Sequence, residues 1–472
     1  MYYIKRILAI SVLLLLIMPS ISVMAEEQPS EQIYYLLVDR FVNGDNSNDI
    51  NINIDDPSAY YGGDLQGVTD KLDHFNELGI SMINLSPIMS AQSYHGFDTS
   101  DFQTVNEQFG DIADLQNLVK KAHEQDIEVI LDLPLTHVAT THPWVQEPSD
   151  WQSGNTVDVF GQSLPGLDLT NDDLQNYFIE TAVHWLTSAD IDGFHIYVDQ
   201  DTPASFIEEL RARLQQENED VTLIVDGSET ESAMNHSFKS EATEILKQPG
   251  ESLESLVTSD SGGVHYMESA FTNRFTHEAV QAGFHPVTRW KLASTLLYTL
   301  PGSSLLYQGI EVPMDNGKAE PDHRMAQVNN NDEELMQHLQ KLAQIRSQSS
   351  SLQQGDLEVV GQQGAMIVYK RSDQNETMYI AINNDTETQS VSLEGLGDDM
   401  QLRGLLDDNI VRKQEDGTYR LILDRETSNI FVLEENTGFN WIFIAMMVFI
   451  FGGFISFIVA VNRRSKKNKQ AN

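Results

Sequence analysis

Between Ile33 and about Gln348, short apolar runs alternate with longer stretches of amphipathic helical pattern. No other feature constrains the fold as strongly. A strand followed by a crossover helix lays the next strand parallel to the first. Candidate strands are 33–38, 82–85, 128–133, 193–197, 223–226, 265–267 and 304–307. Eight such units close a (β/α)8 TIM-type barrel at about 31 residues per unit. The step from Gly193 to Leu223 fits one unit. The step from Leu223 to His265 is 42 residues, where two units take about 60. The sixth unit therefore reads as eroded or lost.

From Asp356 to about Glu434 the pattern changes to short β runs at 357–360, 365–369, 377–382, 390–393, 402–405 and 419–423. Turns such as Asn383-Asn384-Asp385 and Glu415-Asp416-Gly417 separate them, which predicts a small antiparallel β-sandwich. The ends predict targeting. Lys5 and Arg6, an apolar run over 7–18 and Val23-Met24-Ala25 read as a signal peptide over 1–25. Residues 441–461 carry no charge, and Arg463, Arg464, Lys466, Lys467 and Lys469 follow. This predicts one transmembrane helix and a cytoplasmic basic tail over 462–472, with 26–440 outside. The expected order is a signal, a barrel over 26–348 with a short insertion at 138–170, a β domain over 349–434, a linker over 435–440 and an anchor. The expected location is the cell membrane, single-pass, with the main domain extracellular.

The 71 acidic residues against 29 basic ones give a net charge of −42. A surface of that sign repels nucleic acid and anionic lipid, so neither is an expected partner. With no cysteine, disulfides and thiolate metal sites are excluded.

Several motifs carry the chemistry. Asp39-Arg40-Phe41-Val42-Asn43-Gly44-Asp45-Asn46-Ser47-Asn48-Asp49 precedes Gly62-Gly63-Asp64-Leu65-Gln66-Gly67. Asn43, Asp45, Asn48, Asp49 and Asp64 offer side-chain oxygens and Gly62 a carbonyl, a hard donor set of the size calcium prefers. Further on come Ser93-Tyr94-His95-Gly96-Phe97-Asp98, Asp132-Leu133-Pro134-Leu135-Thr136-His137, Leu164-Pro165-Gly166-Leu167-Asp168, Asp192-Gly193-Phe194-His195-Ile196-Tyr197, Leu223-Ile224-Val225-Asp226 and Tyr266-Met267-Glu268-Ser269-Ala270-Phe271-Thr272-Asn273-Arg274-Phe275. Together these resemble the motifs of the α-amylase family, over about residues 32–434.

The resemblance implies one structural Ca²⁺ held by Asn43, Asp45, Asn48, Asp49, Gly62 and Asp64. A second family calcium is not expected, because Thr136 and Gly166 replace two of its ligands. It implies sugar contacts from His95 and Phe97, and places Asp132 and His137 beside them. It also locates the losses. Tyr197 stands where the nucleophilic Asp belongs, His195 where its Arg belongs, and Phe271 at the third Asp. Asp226 takes the proton donor's place, with Glu229 the alternative if the alignment shifts.

A retaining glycosidase needs two carboxyl groups about 5–5.5 Å apart. A phenol and a phenyl ring cannot supply that chemistry. The expectation is a catalytically degenerate homologue that binds α-glucan or an envelope partner, which leaves its standing as an enzyme open. Two alternatives remain: an active α-glucan hydrolase or transglycosylase with relocated carboxylates (Asp199, Asp201 or Glu229), or an envelope scaffold that binds no sugar.

Overall fold

The computed structural model describes residues 30–147, 149–227, 233–259, 263–315, 323–436 and 441–470. Seven parallel strands pair in the order His265–Tyr266, Ser304–Tyr307, Gln32–Leu36, Met82–Leu85, Glu128–Pro134, Gly193–Tyr197 and Thr222–Asp226. Side chains alternate across them, as the pleat requires. Ile33, Tyr35, Met82, Ile130, Ile224, Leu305 and Tyr307 fill the barrel interior. Tyr34, Leu36, Ile83, Leu85, Val129, Leu131 and Phe194 face the surrounding helices. Burial of each such side chain contributes about 1.5–3 kcal/mol.

The sixth unit is eroded but not lost. Residues 233–235 bridge the gap between the fifth strand and His265–Tyr266. The Ala233 N–H donates to the Val225 carbonyl at 2.7 Å, Val264 N–H to Ala233 at 2.7 Å, and Asn235 N–H to Val264 at 3.0 Å. The helix His236–Leu246 begins at once, capped by the Asn235 side chain on Phe238 N–H.

The C-terminal part is antiparallel. Six strands run in the order Asp356–Gln363, Met366–Ser372, Thr377–Asn383, Thr427–Glu435, Met400–Gly404 and Ile410–Arg412. The pair Gln389–Leu393 and Tyr419–Leu423 packs over them across a core that includes Val368, Val391, Leu402, Leu421 and Phe431. Thr427–Glu435 escaped the sequence pattern because two of its buried residues are polar. Ser428 Oγ bonds Thr295 Oγ1 at 2.8 Å, and Asn429 Oδ1 accepts from Leu406 N–H at 3.1 Å. The fully buried Arg289 joins the two parts, donating to Asn384 Oδ1 at 2.7 Å and Glu426 Oε2 at 2.9 Å.

The chain ends in a helix, Trp441–Gln470. Among the described residues no helix is long and apolar enough to cross a membrane. This corrects the expected transmembrane helix at 441–461. It equally corrects the single-pass membrane location with an extracellular main domain, which rested on that helix. The expected signal segment, residues 1–25, lies outside the described residues.

Candidate functional site

The parallel register sets the residues of the barrel mouth side by side. Asp132 pairs with His195, and Pro134, Tyr197 and Asp226 lie abreast on three neighbouring strands. The strands thus bring Tyr197 and Asp226 together, with the Phe271 ring 5.6 Å from that of Tyr197.

At the centre is Asp132, fully buried. It accepts from Tyr35 Oη at 3.0 Å, Tyr197 Oη at 3.0 Å and Asn84 Nδ2 at 2.8 Å, and pairs with His195 Nδ1 at 3.1 Å. His195 Nε2 lies 3.7 Å from Asp226 Oδ2, and His236 Nε2 is 2.8 Å from Asp226 Oδ1. His236 Nδ1 meets Tyr266 Oη at 2.6 Å.

These contacts set the charges. Burial pushes His195 down, but Asp132 and then Asp226 overrule it and carry the imidazole up to about 9. Burial raises Asp226, yet the facing imidazoles of His195 and His236 outweigh it and hold the carboxyl well below its ordinary range. Burial, and then the Asp132 charge, hold the Tyr197 phenol well above its ordinary value. The mouth therefore presents a neutral phenol, an ionised Asp226 and an imidazolium between two carboxylates.

The raised pKa has a stability consequence. The folded state binds the His195 proton more tightly than the unfolded chain, whose imidazole titrates near 6.5. The contribution is complete below that pH and lost as pH rises through about 9. The shift corresponds to roughly 3 kcal/mol. Between pH 6 and pH 10 the wild type is expected to lose about that much more stability than His195→Asn, read from urea midpoints. Equal losses would contradict the assignment.

The other expected sugar contacts are present but covered. His95, Phe97 and His137 are 1%, 1% and 3% exposed. Burial holds His95 down to about 3 and His137 down to about 4, and the Nε2 atoms of both have no partner. What covers them comes from the insertion at 138–170. There the strands Gln152–Val159 and Gln162–Leu167 form a hairpin whose two-residue turn is Phe160-Gly161, with φ of +52° and +76°. Such turns favour Asn-Gly, and a bulky side chain at positive φ is strained, at a cost of about 1–3 kcal/mol. The Phe160 ring stacks on Phe271 at 4.7 Å and 10°, and meets His95 edge-on at 4.9 Å.

Beside this plug lies a cavity of about 400 Å³, lined among others by Tyr35, His195, Tyr197, Asp226, His236, Tyr266 and Phe271. Tyr35 lies on the first strand, which the apolar run at 33–38 located without assigning that residue a role. Nothing in the sequence pointed to His236 or Phe160, and Tyr266, which opens one of the quoted motifs, carried no assigned role. Of the relocated carboxylates, Asp199 Oδ1 accepts from Asp201 N–H at 3.1 Å and Thr202 Oγ1 at 2.8 Å, so it closes a turn. Glu229 lies outside the described residues.

In the loop at 43–64, Asp64 caps the helix Leu65–Thr69, accepting from Gly67 N–H at 2.6 Å and from Asp45 N–H at 2.8 Å. Asn43 Nδ2 donates to Asp49 Oδ1 at 2.8 Å. The Oδ1 atoms of Asn43 and Asn48 are buried without a partner. At Gly62, φ is +92°, and a Cβ would sit 2.6 Å from both the Asn43 amide nitrogen and Asp49 Oδ1.

A parallel barrel followed by a β domain, with its candidate site at the carboxyl ends of the strands, is an architecture that many enzymes share. Comparison with known proteins places it further. Residues 32–160 match the family described as "Alpha amylase, catalytic domain", and 355–431 match "Alpha-amylase C-terminal domain". The crystal structure of an Anoxybacillus α-amylase is 34% identical, with a TM-score of 0.80 over 87% of this chain and 99% of that one. An α-amylase from Geobacillus thermoleovorans, solved with acarbose, is 34% identical with a TM-score of 0.77, over 86% and 99% of the two chains. The intracellular maltogenic amylase of Bacillus subtilis is 26% identical over 416 residues, 78% of this chain and 70% of that protein. The chain belongs to the α-amylase family of glycoside hydrolases.

Proposed function

We propose that this protein binds α-glucan or a related oligosaccharide at the barrel mouth and does not cleave it by the family's two-carboxylate route. The observation that carries this reading is Tyr197. It lies in register with Asp226, remains a neutral phenol and donates a hydrogen bond to Asp132. Asp226 stays ionised and has no proton to give a leaving oxygen. The aromatic and polar lining of the cavity supports sugar binding, since concave apolar sites with a few placed polar groups take small ligands. Relatives are named for maltogenic activity, and one neighbouring structure, 19% identical, holds maltose. Retention on amylose resin, eluted by maltose, tests the binding. Passage through the resin unretained would count against it.

We also propose one Ca²⁺ in the loop at 43–64. Asn43, Asp45, Asn48, Asp49 and the Gly62 carbonyl would hold it, with Asp64 beside them. The buried, unpartnered oxygens of Asn43 and Asn48 are what an oxygen-seeking cation satisfies. The ion would tie the loop to the first barrel strands and take no part in chemistry. Saturating calcium is expected to stabilise the fold by about 2.7 kcal/mol at a hundredfold excess over Kd. A melting temperature indifferent to chelator would refute the site.

A further inference from the structure

We propose that the cavity between the floor of the barrel and the β domain binds a small organic anion, and that Arg371 grips its carboxylate or phosphate head. Ser30 and Gly302, just before the amino ends of two barrel strands, line this cavity. It therefore lies opposite the mouth and is independent of the glucan reading.

Five arginines are buried among the described residues. Three hold a carboxylate: Arg40 that of Asp39, Arg274 that of Glu268 at 2.6 Å and Arg289 that of Glu426 at 2.9 Å. Arg346 and Arg371 have only neutral partners. Arg346 donates to the carbonyls of Tyr298 at 2.9 Å and Leu352 at 3.1 Å, and to Ser30. Arg371 is 1% exposed. Its Nε donates to the Gly355 carbonyl at 3.0 Å and its Nη1 to that of Thr299 at 2.6 Å. Burial holds both guanidinium groups down to about 10, so both stay charged at neutral pH, and the Arg371 charge adds to the effect on Arg346. Glu31 and Asp356 pull the other way from a distance, and neither closes an ion pair with them. Buried charges are ordinarily paired. Two interacting cations without a paired carboxylate are the exception in a chain of net charge −42.

The remaining donor of Arg371 has somewhere to point. Nη2 makes no hydrogen bond among the described residues, and Arg371 lines a cavity of about 810 Å³. With Nε and Nη1 tied to carbonyls, Nη2 is the part of the fork left to face that space. It can only donate, so its partner must accept, and an oxyanion makes the stronger, charge-assisted bond. Gln354, exposed and without a hydrogen bond, adds a neutral donor on the wall. Asp356 stands on the same wall but is exposed, where water and salt screen its repulsion. The other half of the lining is carbon. Val257 and Pro301 supply it from the barrel, Leu357 and Val359 from the β domain. The volume falls in the range of small-molecule pockets, about 300–1,000 Å³, and far exceeds a bare phosphate. A molecule with an anionic head and an apolar body uses both the guanidinium and those walls, and it bridges the two parts of the chain.

Titration calorimetry of the full chain at fixed ionic strength tests the site with inorganic phosphate, phenyl phosphate, benzoate and neutral benzyl alcohol. The tighter of phenyl phosphate and benzoate is expected to bind about tenfold more strongly than inorganic phosphate, through the apolar walls, and its head names the ligand class. Arg371→Met keeps the apolar stem and removes the charge. It should weaken binding by about tenfold or more, the worth of a charged hydrogen bond. Gln354→Glu leaves the Arg371 bonds in place and sets a second carboxylate on the wall. It should weaken binding several-fold and guards against misfolding of the first variant. The site is overturned if no anion binds, if benzyl alcohol binds as tightly as benzoate, or if either folded variant keeps the wild-type affinity.

Discussion

Incubated with maltoheptaose, the full chain is expected to release no reducing sugar above a protein-free blank. Loss of a nucleophile costs on the order of a millionfold in kcat where that has been dissected. Here three deficits act together: a phenol at Tyr197, an Asp226 held ionised by two imidazoles and a mouth filled by Phe160 and Phe271. The triple variant Tyr197→Asp, Asp226→Glu, Phe271→Asp returns carboxylates to the three positions. It is expected to remain far slower than a full family site, because Phe160 still lies over His95 and His195 still occupies the Arg position. Brisk wild-type hydrolysis that disappears on changing Asp226 or Glu229 would overturn the reading and make the protein an enzyme with a rearranged site.

Asp132→Ala is expected to be the most destabilising single change at the mouth, by about 3–5 kcal/mol. The carboxylate is 0% exposed, accepts hydrogen bonds from Tyr35, Asn84 and Tyr197, and pairs with His195. Its removal leaves those donors buried and the imidazolium with Asp226 alone at 3.7 Å. Tyr197→Phe removes one donor and leaves the charge pair intact, so about 1 kcal/mol is expected. Urea denaturation of both variants separates them. A loss below 1 kcal/mol for Asp132→Ala would show that the network does not hold the mouth together.

The fold was legible because its signal is periodic. Strands Met82–Leu85, Gly193–Tyr197, Ser304–Tyr307 and Tyr419–Leu423 coincide with their apolar runs, and the short spacing before His265 foretold the reduced sixth strand. Thr427–Glu435 was hidden by Ser428 and Asn429, whose burial depends on partners far away in sequence. The anchor at 441–461 was read from length and charge, whereas among the described residues no helix is long and apolar enough to cross a membrane. At the site, the motif frame located Tyr197, Asp226 and Phe271. It could not reveal that Phe160 would cover His95 and Phe97, because the covering is a contact between an insertion and a loop more than 100 residues apart. Nor could it reveal His236, which reaches Asp226 only through the shortened sixth unit.

The strained turn at Phe160 ties a surface loop to the barrel core. The hairpin carries the ring to the mouth, where it packs against the interior cluster that holds Tyr35, Ile130 and Tyr307. Tyr197, on a barrel strand, packs in turn against the hairpin's Val159 and Leu164. One aromatic side chain on a two-residue turn thus sets both how open the mouth is and how well its rim is braced.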